Sequence, residues 1–470
     1  MCSVVHSART GRPGILVNTS NPSDSKNSAW AVLSQGAFAC YMGGELISML
    51  GTWMQQMAQG WVLAGLASTA LALALVTCAS SLPMLGLVMF GGVVADRMDK
   101  RKILFITQVV QALLAFWIGW LVARHQIAIW HLTVAGICLG VSAAFEMPAA
   151  SALVPELVDR AQLSSAIAID RSIFHATRLA GPALGGWLIA WLGMSSAFYA
   201  NALSFGALMI ALVVIRPRRG EEARKEAAHD AGMKEGLAFV RNDPQTLTMV
   251  SMLAIATLCI SPFFMIMMPL YSRNVLHIPA SEHGFLMGAS GAGAFAGSLW
   301  LLTIRRDRRR AWICGAIALI VAAMLTLSRA HGFGTAVVAM IALTMGTSTV
   351  FGLANTIVQE RAPDRIRGRV SAVAGLSFFG VLPFSGLIMS ELADLVGLRG
   401  AMGSSAVCFG FGAALLLYKH RRSEQSPGAT TIEPEAEPGA EMAAGIVHEP
   451  VGLTAQAVQD THGSMRAKPE

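Results

Sequence analysis

The sequence predicts an all-α polytopic membrane protein whose twelve transmembrane helices form two pseudo-symmetric six-helix bundles. Three observations support this prediction. Hydrophobic residues make up 54% of the 470 residues and charged residues only 13%, whereas an average soluble domain is about 25% charged. Apolar runs long enough to cross ~30 Å of hydrocarbon as helices recur between residues 34 and 418. The charged loops of the first half also return at corresponding places in the second half, as a duplicated unit requires.

These runs divide the chain into five parts. Residues 1–33 are predicted to be a disordered cytoplasmic leader, because they contain polar residues and no apolar signal-peptide core. Residues 34–215 are predicted to form the first bundle, 216–243 a basic cytoplasmic linker, and 244–418 the second bundle. Residues 419–470 are rich in Glu, Pro, Ala and Gly, which predicts a disordered cytoplasmic tail.

The first predicted helix, from about Gln35 to Leu66, is more polar than a helix that faces lipid on all sides. Polar side chains recur along it at steps of three and four, so they share one face that contacts water or another helix. They are Glu45, Ser48, Thr52, Gln55 and Gln59. The second helix is predicted to be broken in mid-run by Pro83.

The loop after the second helix, 91–102, concentrates charge between two apolar runs. Its pattern is carried by Gly92, Asp96, Arg97, Lys100 and Arg101. This spacing closely resembles the signature loop between helices 2 and 3 of the major facilitator superfamily of transporters. Asp99 stands where that family usually has a second glycine, so we expect a less permissive turn. The resemblance implies that the loop charges pair with neighbouring helix ends and control conformational change.

Helices 4 and 5 are predicted over about 129–153 and 163–192, with an inside loop at 154–160. Helix 4 carries Glu146 directly before Met-Pro, where the exporter branch of the superfamily commonly has an acidic residue. Helix 5 carries a stripe of basic residues at steps of four and three, namely Arg171, His175 and Arg178. Its next turns contain Gly181, Pro182, Gly185 and Gly186. This run resembles the helix 5 signature of antiporters in the superfamily.

The second half repeats this organisation. The basic loop at 305–310 takes the place of the first charged loop, and the loop at 362–369 takes the place of the loop at 154–160. The latter loop contains Asp364, Arg367, Gly368 and Arg369. This loop, like Gly51–Trp61 in the first helix, resembles the exporter branch that includes enterobactin exporters and macrolide efflux pumps. The resemblance covers about residues 35–418.

Ionisable residues inside the membrane segments are the candidates for coupling and substrate contact. They are Glu45, Glu146, Arg171, His175 and Arg178, with Gln55 as a further candidate. Each has a structural alternative. Glu45 can be hydrated or paired with a basic loop residue, and Glu146 can form a fixed ion pair with Arg178 or Arg171. His175 can relay protons or serve as a hydrogen-bonded structural residue.

The sequence contains no phosphate-binding loop, nucleophile elbow or His-Glu-x-x-His motif, so we predict neither an enzyme nor a bound cofactor or metal. The formal net charge of +7 follows from basic loops on one side of the membrane and indicates no nucleic-acid partner. That bias predicts an inner-membrane protein with both termini in the cytoplasm, and we expect it to be a monomer in the lipid bilayer.

Together these features predict proton-coupled efflux of a small amphipathic molecule, such as a drug, macrolide or siderophore, by alternating access. The alternatives are a solute importer of the same fold and a non-transporting membrane sensor or scaffold.

Overall fold

The computed structural model describes residues 32–215, 233–363 and 365–424, and all regular secondary structure in them is helical. The predicted leader, most of the linker and nearly all of the tail lie outside these residues. The first half contains six helices: α1 (Gly36–Leu66), α2 (Ala70–Arg97), α3 (Lys100–Ala123), α4 (Ile129–Leu157), α5 (Leu163–Leu192) and α6 (Ser195–Val214).

A linker helix, Met233–Asn242, precedes the second half. The first crossing there, α7, consists of Pro244–Cys259, a π-helical turn at Phe263–Met267 and Met268–Asn274. It is followed by α8 (Ala280–Leu301), α9 (Arg309–Arg329) and α10 (Phe333–Arg361). Helix α11 consists of Arg367–Phe379 and the first part of the run Leu382–Glu424, which Gly397 interrupts at φ 78°. Glycine adopts this left-handed conformation without strain, and α12 occupies the rest of the run.

Twelve of these helices cross the membrane, as predicted. Nine stretches of the described residues are long and apolar enough to do so. One of them, Arg367–Arg422, contains both α11 and α12. Helices α1 and α5 are not among these nine stretches, although they are as long as their neighbours. They are less apolar because they carry the polar and charged faces seen in the sequence.

The two halves repeat the same packing. Helix α2 packs along α4 in the first half, and α8 packs along α10 in the second. Both contacts depend on glycine, since an added Cβ at Gly91 would collide with the Ala144 carbonyl and one at Gly293 with the Ile341 carbonyl. Small residues allow such close backbone approach in membranes. The all-α, pseudo-symmetric architecture is therefore confirmed.

One predicted helix break and two predicted helix ends differ from the observed structure. Helix α2 is continuous through Pro83, because a membrane helix can satisfy the carbonyl that proline frees through neighbouring groups. Helix α4 continues through Pro155 to Leu157, into the predicted loop. Helix α12 continues past the predicted end at Tyr418 to Glu424. The positive charges of Lys419, Arg421 and Arg422 stabilise this last turn, because they interact with the negative end of the helix dipole.

In the described parts of the chain, the hydrophobic core joins the two halves at one end of the bundle only. We call the end with the turns after α2, α4, α6, α8 and α10 the basic end, and the other the opposite end. Buried residues near the opposite end of the first half, such as Leu63 and Leu73, belong to the same apolar cluster as the second half. Those near its basic end, such as Phe38, Leu104 and Leu153, form a separate cluster. The halves therefore part toward the basic end.

Candidate functional site

Polar contacts between the halves close the opposite end. Both carboxylate oxygens of Asp394, on α11, cap the first turn of α2: they accept hydrogen bonds from the Ala70 and Leu71 N–H groups at 2.8 and 2.9 Å. The ring of Trp61 on α1 lies 5.3 Å from that of His283 on α8, and the Arg273 guanidinium lies 5.9 Å from the Trp61 ring centre. These contacts must break if this end opens.

A central cavity of about 280 Å³ lies between the halves and extends from mid-membrane toward the basic end. A smaller pocket of about 90 Å³ lies on the opposite side of mid-membrane. Arg178, Phe264 and Met265 line both spaces, so they mark the boundary between them. The two spaces form a path between the halves that is closed at the opposite end. A ligand can bind where this path ends, which we call its blind end.

Glu146 is held by two glutamine side chains rather than by a cation. It accepts a hydrogen bond from Gln108 Nε2 at 2.7 Å and another from Gln111 Nε2. Gln108 in turn accepts from Ser48 Oγ at 3.2 Å, so the network connects α1, α3 and α4. Among the described residues, neither Arg171 nor Arg178 forms an ion pair with Glu146. The alternative of a fixed ion pair at this position is therefore not what the structure contains.

Glu45 lies near Glu146 and Asp170, close enough for the three carboxyl groups to interact electrostatically. Within the part of the chain that the structure describes, its carboxyl group has no hydrogen-bond or ion-pair partner. The Tyr41 side chain faces the same three groups and is 1% exposed. We call Tyr41, Glu45, Glu146 and Asp170 the acidic cluster. Carboxyl groups placed together in a membrane favour binding of a proton.

The basic stripe on α5 begins beside the acidic cluster, because Arg171 directly follows Asp170. Arg171 is exposed, and His175 and Arg178 line the central cavity. The Arg178 guanidinium lies 5.8 Å from the centre of the Trp53 ring, and Phe174 packs edge-on against that ring at 5.8 Å. Among the described residues, no ion pair joins Arg178 to the acidic cluster.

The glycines of α5 permit close packing on two sides. A Cβ at Gly181 would lie 2.5 Å from Trp53 Cβ, and one at Gly185 would lie 3.1 Å from Met54 Cα, both on α1. A Cβ at Gly186 would lie 2.7 Å from the Ser281 carbonyl oxygen on α8. The Pro182 carbonyl lies against α8 as well, beside Gly284. This run therefore lets α5 contact its own half and the other half at once.

The loop between α2 and α3 is held by bonds within the first half. Asp99 caps α3 by accepting from the Arg101 N–H at 3.0 Å, and its carboxylate pairs with the Arg101 guanidinium at 2.9 Å. Partial burial raises the pKa of Asp99, but the bonds from Arg101 outweigh it and lower the pKa overall. Asp99 has φ −63°, so this turn does not need a glycine. Lys100 pairs with Glu156 at 2.6 Å.

Other residues of the predicted loop pattern have different surroundings. Asp96 and Arg97 are exposed at the basic end. Gly92 has open space where a Cβ would stand, whereas its neighbour Gly91 makes the tight contact with α4.

Gln55 is 6% exposed and accepts from Asn201 Nδ2 at 2.8 Å. It therefore joins α1 to α6 inside the first half instead of lining the cavity.

The second-half loop holds the linker helix. Arg365 and Arg369 both pair with Glu235 of that helix, and Arg367 Nε donates to the Gln359 carbonyl at 3.1 Å. Gly368 has open space around it. The predicted site residue Asp364 lies outside the described residues.

Beside this loop, Asp243 caps α7 by accepting from the Thr246 N–H at 2.9 Å, and it accepts from Arg361 Nε at 2.7 Å. Burial raises the pKa of Asp243, but the hydrogen bonds from Arg361 and Thr246 lower the pKa by a larger amount, so the net shift is downward.

Sequence reasoning missed Gln108, Gln111 and Asp394. The two glutamines stand three residues apart in an otherwise apolar helix, so they share a face, and that spacing was a usable signal. Asp394 is an acidic residue near a helix end, and no local pattern indicates that it caps a helix 324 residues away.

Comparisons with known proteins agree with this architecture. Residues 27–448 match the protein family described as transmembrane secretion effector, within the major facilitator superfamily. The multidrug efflux pump Tap of Mycolicibacterium fortuitum is 25% identical over 350 residues, which cover 72% of this chain and 85% of the pump. Macrolide efflux protein A of Streptococcus pyogenes is 23% identical over 378 residues, covering 77% and 90% of the two chains.

Among solved structures, a bacterial homologue of the human lysosomal transporter Spinster, in an inward-facing and occupied conformation, has the same fold. The TM-score is 0.64 at 14% identity, and the match covers 84% of this chain and 97% of that one. The predicted major facilitator fold and resemblance to exporters are confirmed. The family and these relatives are transporters, in agreement with the prediction that the chain is not an enzyme.

Proposed function

This chain belongs to the transmembrane secretion effector family of major facilitator transporters, and from that premise we propose that it is a proton-coupled exporter of a small amphipathic molecule. It is a multi-pass membrane protein and a transporter. The coupling ion, the direction of transport and the chemical type of cargo are the proposal. The names of the relatives, a multidrug efflux pump and a macrolide efflux protein, support an amphipathic cargo and outward transport.

The distribution of charge supports an orientation. Basic residues concentrate in the loops at the basic end, including 97–102 and 305–310. Basic loops remain in the cytoplasm when membrane helices insert, so we place the basic end and both termini there, in the inner membrane of the cell. The central cavity then opens to the cytoplasm, where a cargo for export is taken up.

The acidic cluster is the observation that carries the proposal. A carboxyl group within a membrane helix is costly when ionised, and among the described residues Glu45 and Glu146 have no cationic partner to offset that cost. Each can therefore accept a proton when the path opens to the outside and release it when the path opens to the cytoplasm. Glu146 is the better coupling candidate because hydrogen bonds from Gln108 and Gln111 fix the position of its carboxyl group.

Alternating access would use the two ends in turn. In this orientation the opposite end is the outer end, and the Asp394 cap and the Trp61 contacts hold it closed in the state described above. When that end opens, we propose that the charged loop residues Asp96, Arg97, Lys100 and Arg101 form the contacts that close the cytoplasmic end. A set of salt bridges that forms in one state and breaks in the other suits a two-state transporter.

Dye efflux from energised cells tests this proposal. Cells expressing the wild type, Glu146→Gln or Glu45→Gln are loaded with anionic, neutral and cationic amphipathic dyes, with and without a protonophore. Glu391→Gln is the matched control, because this exposed carboxylate stands on α11 outside the cavity. We expect efflux that the protonophore and Glu146→Gln abolish and that Glu391→Gln leaves intact. Efflux of every exported dye that continues at the wild-type rate with the protonophore present would contradict proton coupling.

A further inference from the structure

The cation at the blind end of the cavity indicates what kind of cargo fits. Arg178 lies on α5 at mid-membrane, where the central cavity meets the smaller pocket. Its guanidinium packs over the face of Trp53 at 5.8 Å. This contact holds one face of the guanidinium in place, and the side chain lines both spaces between the two halves.

Nothing in the described protein supplies a counter-charge to Arg178. It forms no hydrogen bond or ion pair with any described residue. The interior carboxyl groups interact with one another, in the acidic cluster, and not with this guanidinium. A guanidinium has five N–H donors, and a cation–π contact on one face satisfies none of them. An unpaired charge within a membrane is expensive, so an anionic ligand would supply the missing partner.

The walls around Arg178 suit a ligand that is otherwise apolar. Phe264 and Met265 line both spaces, and Phe351 and Phe378 line the central cavity. Phe264 and Met265 belong to the π-helical turn of α7, a feature that is frequent at functional sites. Ser261, one turn earlier, lines the central cavity, and its buried hydroxyl has no hydrogen-bond partner among the described residues. It can therefore add one hydrogen bond to a polar ligand group.

We propose that the cargo is an amphipathic organic anion whose carboxylate or sulfonate binds the Arg178 guanidinium and whose ring system packs against Trp53 and Phe264. This inference rests on the proposed function, since it describes the cargo of the same path. It assigns cargo recognition to Arg178 and proton binding to the acidic cluster. Arginine is suited to this task because its planar donor fork matches the oxygens of such anions.

Two probes with one ring skeleton test the inference. 1-Anilinonaphthalene-8-sulfonate is anionic, and N-phenyl-1-naphthylamine lacks the sulfonate. Binding of each to the purified full-length protein in nanodiscs is followed by probe fluorescence, with empty nanodiscs subtracted. The variants are Arg178→Gln, which removes the charge, and Arg178→Lys, which keeps it. Arg124→Gln is the control, because Arg124 lies 5.3 Å over the Trp120 ring outside the cavity.

We expect Arg178→Gln to weaken binding of the sulfonate about tenfold to hundredfold, the value of a hydrogen bond to a charged group, and to leave the neutral probe unchanged. Arg178→Lys should fall between Arg178→Gln and the wild type, and Arg124→Gln should match the wild type. Equal loss of both probes in Arg178→Gln would show that Arg178 only supports the fold of the cavity and would overturn the inference, as would equal binding of both probes by the wild type.

A flux measurement separates this inference from the proposed function. Proteoliposomes with an imposed pH gradient are given the same two probes. If the gradient drives movement of both probes in the wild type and Arg178→Gln changes the transport of both probes equally, the anion site is wrong and the exporter stands. If Arg178→Gln selectively loses the sulfonate in the binding assay but no gradient drives flux, the anion site stands and proton-coupled export is wrong.

Discussion

Removing the carboxylate of Asp394 should open the outer end of the transporter. In the closed state this side chain, from the second half, accepts two backbone N–H groups at the first turn of α2 in the first half. The bonds cross between the halves, so they exist only when the outer end is closed. Asp394→Ala therefore destabilises one conformation and leaves the other unaffected, which shifts the balance between them.

The size of the shift follows from the capping geometry. Loss of an N-cap side chain costs about 0.5–2 kcal/mol, and an exposed carboxylate belongs toward the lower part of this range because water screens its charge. A loss of about 1 kcal/mol from the closed state changes the ratio of closed to open molecules about fivefold. Asp394→Asn, which keeps one oxygen acceptor, should give a smaller shift.

Electron–electron resonance distances between nitroxide labels measure this ratio. Labels at Gln126→Cys and Asn274→Cys, in a cysteine-free background, report the separation of exposed outer turns in the two halves. The fraction at long distance should rise in Asp394→Ala. Glu391→Ala is the control, since this exposed carboxylate on the same helix has no bond partner among the described residues. Identical distance distributions for Asp394→Ala and Glu391→Ala would refute the reasoning.

Three further predictions concern packing and stability. Gly186→Ala should slow transport and favour the open outer end, because its Cβ would lie 2.7 Å from a backbone oxygen of α8, whereas Gly206→Ala, which has open space, should have no effect in the same flux and distance assays. Asp243→Asn should lower the unfolding temperature at pH 7. Because the folded-state pKa of Asp243 is lowered, the stability that its carboxylate contributes is present above about pH 4 and is lost as the pH falls through the folded-state pKa. The variant and the wild type should therefore have the same unfolding temperature in acid. Gln55→Leu should lower stability by about 1–3 kcal/mol, because it leaves the buried Asn201 amide without its acceptor; unfolding in detergent that matches the wild type would show that the bond is not needed.

The fold was predictable because its main signals are local. Apolar runs and charged loops determine where helices cross a membrane, and both are visible without knowing what packs against what. The polar faces of α1 and α5 were predictable for the same reason, since spacing of three and four places side chains on one face. Continuity of α2 through Pro83 was not, because it depends on groups that neighbour the helix in space.

The candidate site was predictable only in part, because its partners come from distant segments. The sequence identified Glu146 and Arg178 but favoured no single partner for either. Fold packing then placed two glutamines of α3 beside Glu146 and an indole ring of α1 beside Arg178. Spacing groups Gln55 with Glu45, yet the Gln55 side chain lies against α6 and bonds Asn201. Helical periodicity alone therefore cannot separate cavity-lining residues from packing residues.

Movement of protons against cargo tests the central claim most directly. Proteoliposomes that contain the wild type or Glu146→Gln are loaded with a pH-sensitive dye, and 1-anilinonaphthalene-8-sulfonate is added outside without a pH gradient. The account predicts that entry of the probe moves protons out of the lumen in the wild type and that Glu146→Gln abolishes this proton movement. Proton movement of equal size in the variant, or probe transport in the wild type without any change in lumen pH, would contradict it.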